Sequence, residues 1–263
     1  MAQQSPDHYA FPPVLELFSV DSTNNYALGL LRPSHLTERQ ENVKHGWAVF
    51  SHEQFAGKGQ RGKDWLSKTG ENIHLSIIIE PKCLHLQHQF VLIAITALVV
   101  RSVFEKYAQS DILIKWPNDI YFQDRKAGGI LIENIISGTE WKWAVVGVGL
   151  NINQTGFDQD LQKRAVSLRQ ITGNTFDCLQ LATEVRNAIL SKYSDLEMQR
   201  TSFLKILEEY NQYLFKKNEQ VLFEKDGQQF VARVRQVLPS GQLVVQTDIE
   251  LLFDFGEVSW VLE

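Results

Sequence analysis

The alternation of apolar and polar positions divides the chain into a mixed first part and a last part made of strands. In the first part, short and mainly apolar runs predict strands at residues 14–18, 47–50, 73–79, 111–115, 120–122, 129–136 and 141–153. Apolar positions at helical spacing predict a long helix over residues 86–107 and two helices between residues 178 and 215. Another helix is expected to begin at Tyr26, after small polar residues of the types that cap helices, and residues 32–45 should end it and form a loop. The pattern predicts an α+β fold, with a central sheet and helices before and after it.

The pattern changes near residue 217. Short alternating runs then predict strands at residues 221–223, 230–237, 243–247 and 251–255, with glycine turns between them. Such regularly spaced short strands are typical of a small β-barrel. We therefore expect two domains, a larger one over residues 1–216 and a barrel over residues 217–263.

Charge and cysteine content restrict the class of protein. The 263 residues include 26 basic and 31 acidic side chains, a net charge of −5, so the molecule as a whole lacks the basic surface expected for nucleic-acid binding. Cys83 and Cys178 fit no zinc pattern and are too few for a disulfide framework, which is typical of a reducing compartment. Neither a signal-peptide pattern nor an apolar run of about 18 residues occurs, so we expect a cytoplasmic protein without membrane contact.

A glycine-rich loop at residues 57–65 is the first candidate for chemistry. Its glycines let backbone N–H groups approach an anion, and Lys58, Arg61 and Lys63 bring cations to the same place. The loop lacks the spacing of a P-loop or a dinucleotide fingerprint. Taken alone it predicts either a phosphate site or a flexible, solvated basic loop.

Two further segments combine polar side chains with strands. Lys115, Asp119 and Lys126 place three charges among apolar strand residues, where burial requires a partner or a ligand, whereas a turn accounts for Pro117 and Asn118. Glycines within the apolar run of residues 146–153 indicate that something approaches the backbone closely. A ligand, a crossing strand, a β-bulge or tight sheet packing would each explain them.

Taken together and in this order, these segments resemble the catalytic domain of biotin protein ligases. The resemblance rests on DSTN at residues 21–24, Gln54 with AGKGQRGK at 56–63 and Trp65, KWPND at 115–119, RKAGGILIE at 125–133 and GVGLNIN at 147–153. It covers most of residues 14–215, and the tail resembles the SH3-like barrel of that family. It implies a mixed sheet flanked by helices, akin to class II aminoacyl-tRNA synthetases.

The resemblance also implies an activity. A ligase of this type would join biotin and ATP into biotinyl-5'-AMP with release of pyrophosphate, and would then transfer biotin to a lysine of the biotin carboxyl carrier protein of a carboxylase such as acetyl-CoA carboxylase. Mg²⁺ would accompany the triphosphate, with ligands that the sequence does not identify. A monomer and a homodimer both remain open.

The family's site residues carry over to matching positions here. The resemblance implies catalytic roles for Lys126, Asp119, Arg61 and Lys58, with Lys126 contacting the biotin carboxylate and α-phosphate and Asp119 helping the acceptor lysine to lose its proton. The residues implied for biotin are Ser22, Thr23, Asn24, Gln54, Lys58, Gly59, Gln60, Lys126, Gly128 and Gly129. The residues implied for ATP or the adenylate are Gly57, Lys58, Arg61, Lys63, Trp65, Lys115, Asn118 and Asn151.

The chain departs from the family pattern in the glycine-rich loop. Where that family usually has arginines, this chain has Lys58, Gln60 and Lys63, and Gln60 carries no charge. About a dozen residues precede the first strand, so we expect no helix-turn-helix and no direct DNA binding. Two alternatives remain: a lipoate or octanoate transferase of the same fold, and a non-catalytic ligand-binding homologue.

Overall fold

The computed structural model describes residues 12–32 and 43–262. The first part of the chain forms β1 Val14–Val20, α1 Thr23–Leu30, β2 Ala48–Gln54, β3 Asn72–Ile79, α2 Gln89–Ala108, β4 Ile112–Lys115, β5 Asp119–Phe122, β6 Arg125–Ser137, β7 Glu140–Asn151, α3 Gln159–Gln162, α4 Leu168–Thr172, α5 Cys178–Glu197 and α6 Phe203–Gln212. The last part forms β8 Gln220–Lys225, β9 Gln228–Val237, β10 Leu243–Gln246, β11 Glu250–Phe253 and β12 Ser259–Val261. The predicted division into a mixed first part and an all-strand last part is confirmed.

The first part is built on one mixed sheet of seven strands in the order β1-β2-β3-β7-β6-β5-β4. β1 and β2 run parallel, and the other neighbours are antiparallel. β6 and β7 form a long hairpin at the centre, and β3 pairs with β7 along its whole length. The centre of the sheet is therefore the part of the fold best able to hold side chains in fixed positions.

Helices cover both faces of this sheet. β3 is buried throughout, as a strand covered on both sides should be. The long helix α2 packs on one face together with α5 and α6, within the main hydrophobic core. α1 packs on the opposite face, where Ala27 contacts Val49, Ile78 and Val145. The two faces thus carry separate apolar clusters, and α1 lies across β2, β3 and β7.

The last part is a five-stranded antiparallel sheet in the order β11-β10-β9-β8-β12. It is joined firmly to the first part, because the indole N–H of Trp116 donates to the Gly241 carbonyl at 2.8 Å and the Asn211 amide exchanges two hydrogen bonds with the backbone of Val237. Apolar residues of both parts belong to one continuous core. Within the described residues β11 and β12 are unpaired edges, so the SH3-like barrel and the boundary at residue 217 stay predictions.

Several details differ from expectation, and the short helix α3 was not predicted. α1 begins at Thr23 instead of Tyr26, because the polar residues expected to cap it turn their side chains inward, and its N-cap Ser22 makes no side-chain capping bond. The short helix α4 was not predicted, although Ser167 and Gln170 form a capping box at its start. The short strand β12 was also missed. The predicted loop and helix end at residues 32–45 falls largely outside the described residues.

Candidate active site

A cavity of about 520 Å³ opens where α1, the glycine-rich loop, the central hairpin and the C-terminal sheet meet. Most of the residues singled out in the sequence line it, and they come from segments that are far apart along the chain. These are Ser22, Thr23, Asn24, Gln54, Lys58, Gly59, Gln60, Arg61, Lys63, Trp65, Lys115, Asn118, Asp119, Lys126 and Gly129. The fold therefore gathers them into one site.

One end of the cavity is a network of buried polar side chains. Thr23 directs its backbone N–H and its hydroxyl to Gln54 Oε1, at 2.8 Å and 3.0 Å. The Ser76 hydroxyl lies 2.6 Å from Asn24 Oδ1, and Asn24 Nδ2 donates to the Glu133 carboxylate at 2.8 Å. Because a carboxylate only accepts hydrogen bonds, Glu133 fixes which way the Asn24 amide faces. The network therefore fixes which atoms at this end of the cavity donate hydrogen bonds and which accept them.

The glycines of β7 allow protein side chains to lie directly on the sheet. A Cβ at Gly147 would overlap the amide of Asn24, and one at Gly149 would lie 2.7 Å from Cε2 of Trp65. The close approach predicted from these glycines is therefore made by Asn24 and Trp65. Trp65 is half-buried over Gly149, with Lys126 Nζ 5.6 Å from its ring centroid.

An ion pair occupies the middle of the cavity wall. Lys126 Nζ lies 2.7 Å from Asp119 Oδ1, and both side chains remain partly exposed to the cavity. Gly129, which pairs with Asp119 across β5 and β6, leaves the room for it, since a Cβ there would lie 3.2 Å from Lys126 Nζ and 3.3 Å from Asp119 Oδ1. Because both side chains are partly exposed, a bound ligand can replace the contact between Lys126 and Asp119 without leaving either charge buried and unpaired.

Lys115 adds a second lysine to this wall. It pairs with Asp119 in the β4–β5 ladder, and its Nζ lies 3.3 Å from the Tyr121 hydroxyl and 5.7 Å from the ring centroid of Trp260. Burial lowers the pKa of Lys115 to about 8, against the opposing effect of Asp119, and Lys126 lowers it further. A cation held here at a cost in desolvation would be stabilised by an anionic ligand.

The glycine-rich loop closes on itself beside the cavity. The Gly59 N–H donates to the Lys63 carbonyl at 2.6 Å, and Trp65 N–H donates to the Gly57 carbonyl at 2.9 Å. Arg61 has a left-handed backbone, with φ of 57°. The loop is thus a hydrogen-bonded hairpin whose charged side chains Lys58, Arg61 and Lys63 are exposed.

Three residues expected to bind ligand lie outside the cavity wall. A Cβ at Gly57 would lie 2.6 Å from the Trp65 carbonyl, and one at Gly128 would overlap Leu150, so both glycines serve packing. The Asn151 amide donates to the carbonyls of Lys126 and Val166, each at 3.3 Å. Asn151 therefore holds the backbone of Lys126 in this structure, which differs from the direct adenylate contact expected from the sequence.

Several residues of the site were not predicted from the sequence. Ser76 carried a signal, because a hydroxyl in a strand covered on both faces requires a partner. Glu133 was part of a quoted motif but had no role assigned to it. Phe255, Val258 and Trp260 of the C-terminal sheet also line the cavity, although no spacing relates them to the other motifs.

The described residues contain no group of three or more His, Cys, Asp or Glu side chains that could hold a metal ion. None of the helices in the described ranges is long and apolar enough to cross a membrane.

Comparison with known proteins identifies relatives of this chain. The bifunctional ligase/repressor BirA of Salmonella typhimurium is 30% identical over 169 residues, which are 63% of this chain and 49% of that protein. The biotin–[acetyl-CoA-carboxylase] ligase of Paracoccus denitrificans is 33% identical over 105 residues, which are 40% of this chain and 43% of that protein. The chain thus spans about half the length of the curated relatives it matches.

The fold has a counterpart among solved structures. Biotin protein ligase from Aquifex aeolicus in complex with biotin and ATP superposes with a TM-score of 0.78 at 24% identity, over 96% of this chain and 100% of that chain. The family model described as the biotin/lipoate A/B protein ligase family matches residues 19–151. Because that match covers half of the sequence, the chain belongs to the biotin/lipoate A/B protein ligase family.

Proposed function

We propose that this protein is an ATP-dependent biotin protein ligase. It joins biotin and ATP into biotinyl-5'-AMP with release of pyrophosphate, and then transfers the biotinyl group to a lysine of a biotin carboxyl carrier protein. The observation that carries the proposal is the single cavity in which an ordered polar network, two lysines beside a carboxylate and a basic glycine-rich loop meet. Its volume of about 520 Å³ is that of a site for small ligands.

The polar end suits the ureido ring of biotin. Thr23, Asn24 and Gln54 offer both donors and acceptors there, and the ring has two N–H donors and one carbonyl acceptor. Leu75, Ile130 and Val148 of the cavity wall supply apolar surface for the rest of the molecule. This combination favours biotin over a lipoyl or octanoyl group, which has no polar ring to satisfy the network.

Activation of biotin requires that two anions come together. The biotin carboxylate attacks the α-phosphorus of ATP, the new C–O–P linkage forms, and the bond to pyrophosphate breaks with its electron pair leaving on pyrophosphate. Lys126 would attract the carboxylate and the α-phosphate into contact, while Lys58, Arg61 and Lys63 offset the phosphate charge. Anions in this position would also stabilise the charged form of Lys115.

Asp119 is assigned to the transfer step. Its Oδ1 lies 2.7 Å from Lys126 Nζ. Once Lys126 is engaged by the adenylate, the carboxylate is free to accept a proton from the incoming lysine. The neutral amine then attacks the biotinyl carbonyl, an amide bond forms and AMP leaves.

ATP would bring Mg²⁺ with it as the triphosphate complex, because the described residues offer no dedicated acidic cluster. The acceptor would be the carrier protein of acetyl-CoA carboxylase or a similar carboxylase, in line with the name of the Paracoccus relative. We further propose that the fold is of the class II synthetase type, that the C-terminal sheet is an SH3-like barrel, and that the protein acts in the cytoplasm.

The test is exchange of labelled pyrophosphate into ATP, measured with biotin, lipoate or octanoate. Biotin alone should support exchange, and Lys126→Ala should reduce it by at least about a hundredfold. Lys142→Ala is the matched control, since Lys142 is an exposed lysine of β7 paired with Glu140. Exchange with lipoate or octanoate instead of biotin would favour a lipoate or octanoate transferase. No exchange with any of the three acids would favour a non-catalytic ligand-binding protein.

A further inference from the structure

The glycine-rich loop is attached to the rest of the protein at both of its sides. Near its start, Lys58 Nζ donates to Asn25 Oδ1 of α1 at 2.6 Å. At its tip, the Arg61 guanidinium donates to the Gly256 carbonyl at 2.5 Å, a contact between residues 195 positions apart. The loop therefore spans the cavity mouth from α1 to the turn between β11 and β12.

The contact at the tip depends on the absence of a side chain at Gly256. A Cβ built there would overlap the Arg61 guanidinium and would lie 2.7 Å from its Nε. Gly256 has φ of +78° and Arg61 has φ of 57°, so two left-handed residues meet at this point. Arg61 adopts a backbone that non-glycine residues seldom adopt, and its guanidinium occupies the space that a side chain at residue 256 would fill.

The turn that accepts this hydrogen bond is itself well fixed. Asp254 and Glu257 hold it through two hydrogen bonds, at 2.9 Å and 3.1 Å. Next to the glycine, the ring of Phe255 packs against Trp116 at 5.4 Å and against Phe90 at 6.2 Å. The carbonyl is thus a fixed anchor that belongs to the C-terminal sheet.

We propose that Gly256 is a positioning residue that seats Arg61 and thereby holds the glycine-rich loop over the cavity, so that retention of ATP depends on the C-terminal sheet. The kinetic part of this proposal rests on the proposed ligase function. The structural part does not, because it concerns only the contact between Arg61 and the Gly256 carbonyl. Lys58 should keep the other side of the loop in place when the tip is released.

The first experiment measures hydrogen–deuterium exchange of the unliganded full chain. Gly256→Ala should speed exchange in residues 57–65 by at least about tenfold. Gly227→Ala is the matched control, because Gly227 lies in a turn of the same sheet with φ of +77° and nothing within 4 Å of a Cβ, so it carries the same backbone strain without the contact. Equal exchange in the loop of both variants would overturn the proposal.

The second experiment measures the consequence for ATP. In biotin-dependent pyrophosphate exchange, Gly256→Ala should raise the KM for ATP about tenfold, with the KM for biotin and kcat within about twofold of the wild type. In an Arg61→Ala background the same glycine substitution should change the KM for ATP no more than Gly227→Ala does. Additive effects of the two substitutions would overturn the proposal.

The two proposals fail in different ways. A wild type that exchanges no pyrophosphate would remove the ligase function, while the deuterium experiment would still decide whether Gly256 holds the loop. A wild type that is active, with a loop insensitive to Gly256→Ala, would keep the function and remove the anchor.

Discussion

Removal of one buried hydroxyl behind the polar end of the cavity should weaken biotin binding. Ser76 is fully buried on β3 and its hydroxyl lies 2.6 Å from Asn24 Oδ1. An amide oxygen only accepts hydrogen bonds, so the Ser76 hydroxyl is the donor that faces it, and the same hydroxyl also lies 2.8 Å from Thr23 Oγ1. The variant Ser76→Ala leaves this oxygen without a donor, while Glu133 still holds the amide nitrogen at 2.8 Å.

The size of the effect follows from the cost of an unpaired buried acceptor, which is about 1–3 kcal/mol. The Asn24 side chain of the variant will relax to recover a partner, and biotin must then restore the original arrangement in order to bind. We therefore expect biotin to bind between about 5-fold and about 150-fold more weakly. The KM for ATP should change by less than about twofold, because Ser76 does not line the part of the cavity assigned to the phosphates.

Calorimetric titration of biotin in the absence of ATP measures this change directly. Ser51→Ala is the matched control, since Ser51 is an equally buried serine of the neighbouring strand whose hydroxyl donates to the Glu53 carbonyl at 2.8 Å. The control should lose stability and keep its biotin affinity. If Ser76→Ala binds biotin as tightly as Ser51→Ala does, biotin contacts neither of the two groups that Ser76 holds, the Asn24 amide and the Thr23 hydroxyl, and the assignment of this end of the cavity is wrong.

Four further predictions concern ATP, the stability of the fold and the acceptor. Lys115, with its pKa lowered to about 8, should lose its charge as the pH rises, so the KM for ATP of the wild type should increase between about pH 8 and about pH 9.5 while Lys115→Arg gives a flat profile. In the unfolded chain the pKa of the same lysine is 10.5, so burial of its charge lowers the stability of the fold below about pH 8, and this cost disappears as the pH rises toward 10.5. The melting temperatures of the wild type and Lys115→Met should therefore converge between about pH 8 and about pH 10.5. Gly149→Ala should displace the Trp65 ring and raise the KM for ATP about tenfold, whereas Gly156→Ala, with nothing within 4 Å, should leave it unchanged. Asp119→Asn should retain pyrophosphate exchange but slow single-turnover transfer to a carrier domain by at least about a hundredfold, and equal losses in both steps would contradict its role as the proton acceptor.

The sheet and its main helices could be predicted because their apolar periods are long and unbroken. β3 and α2 are examples, since all eight residues of β3 and 14 of the 20 residues of α2 are buried. The start of α1 could not be predicted in the same way. Thr23 and Asn24 are residue types that cap helices, but here they lie within the first turn and turn toward Gln54 and Ser76. A tertiary polar network overrides the local preference, and no pattern within α1 reveals it.

The candidate site could be predicted as a set of residues but not as an arrangement. Lys126 and Asp119 were expected to share a site, and they form an ion pair at 2.7 Å. Asn151 belongs to the same motifs, yet its amide is turned to the carbonyls of Lys126 and Val166. The difference arises because the end of β7 lies beside the segment where Lys126 is hydrogen-bonded to Val166, and the Asn151 amide adds a hydrogen bond to each of their carbonyls. Sequence motifs identify residues that are needed together without separating those that face the ligand from those that support them.

The contribution of the C-terminal sheet to the cavity could not be predicted from the sequence, for a different reason. Phe255 and Trp260 lie in a region whose own pattern accounts fully for a small sheet, so nothing in it requires another partner. Their position follows from the packing of that sheet on the first part, through Trp116 and Phe215. The same packing fixes the Gly256 carbonyl that receives Arg61. If ATP retention depends on that contact, loss of the C-terminal sheet would cost nucleotide binding even where the catalytic lysines stay in place, because the loop that covers the phosphates would keep only its attachment at Lys58.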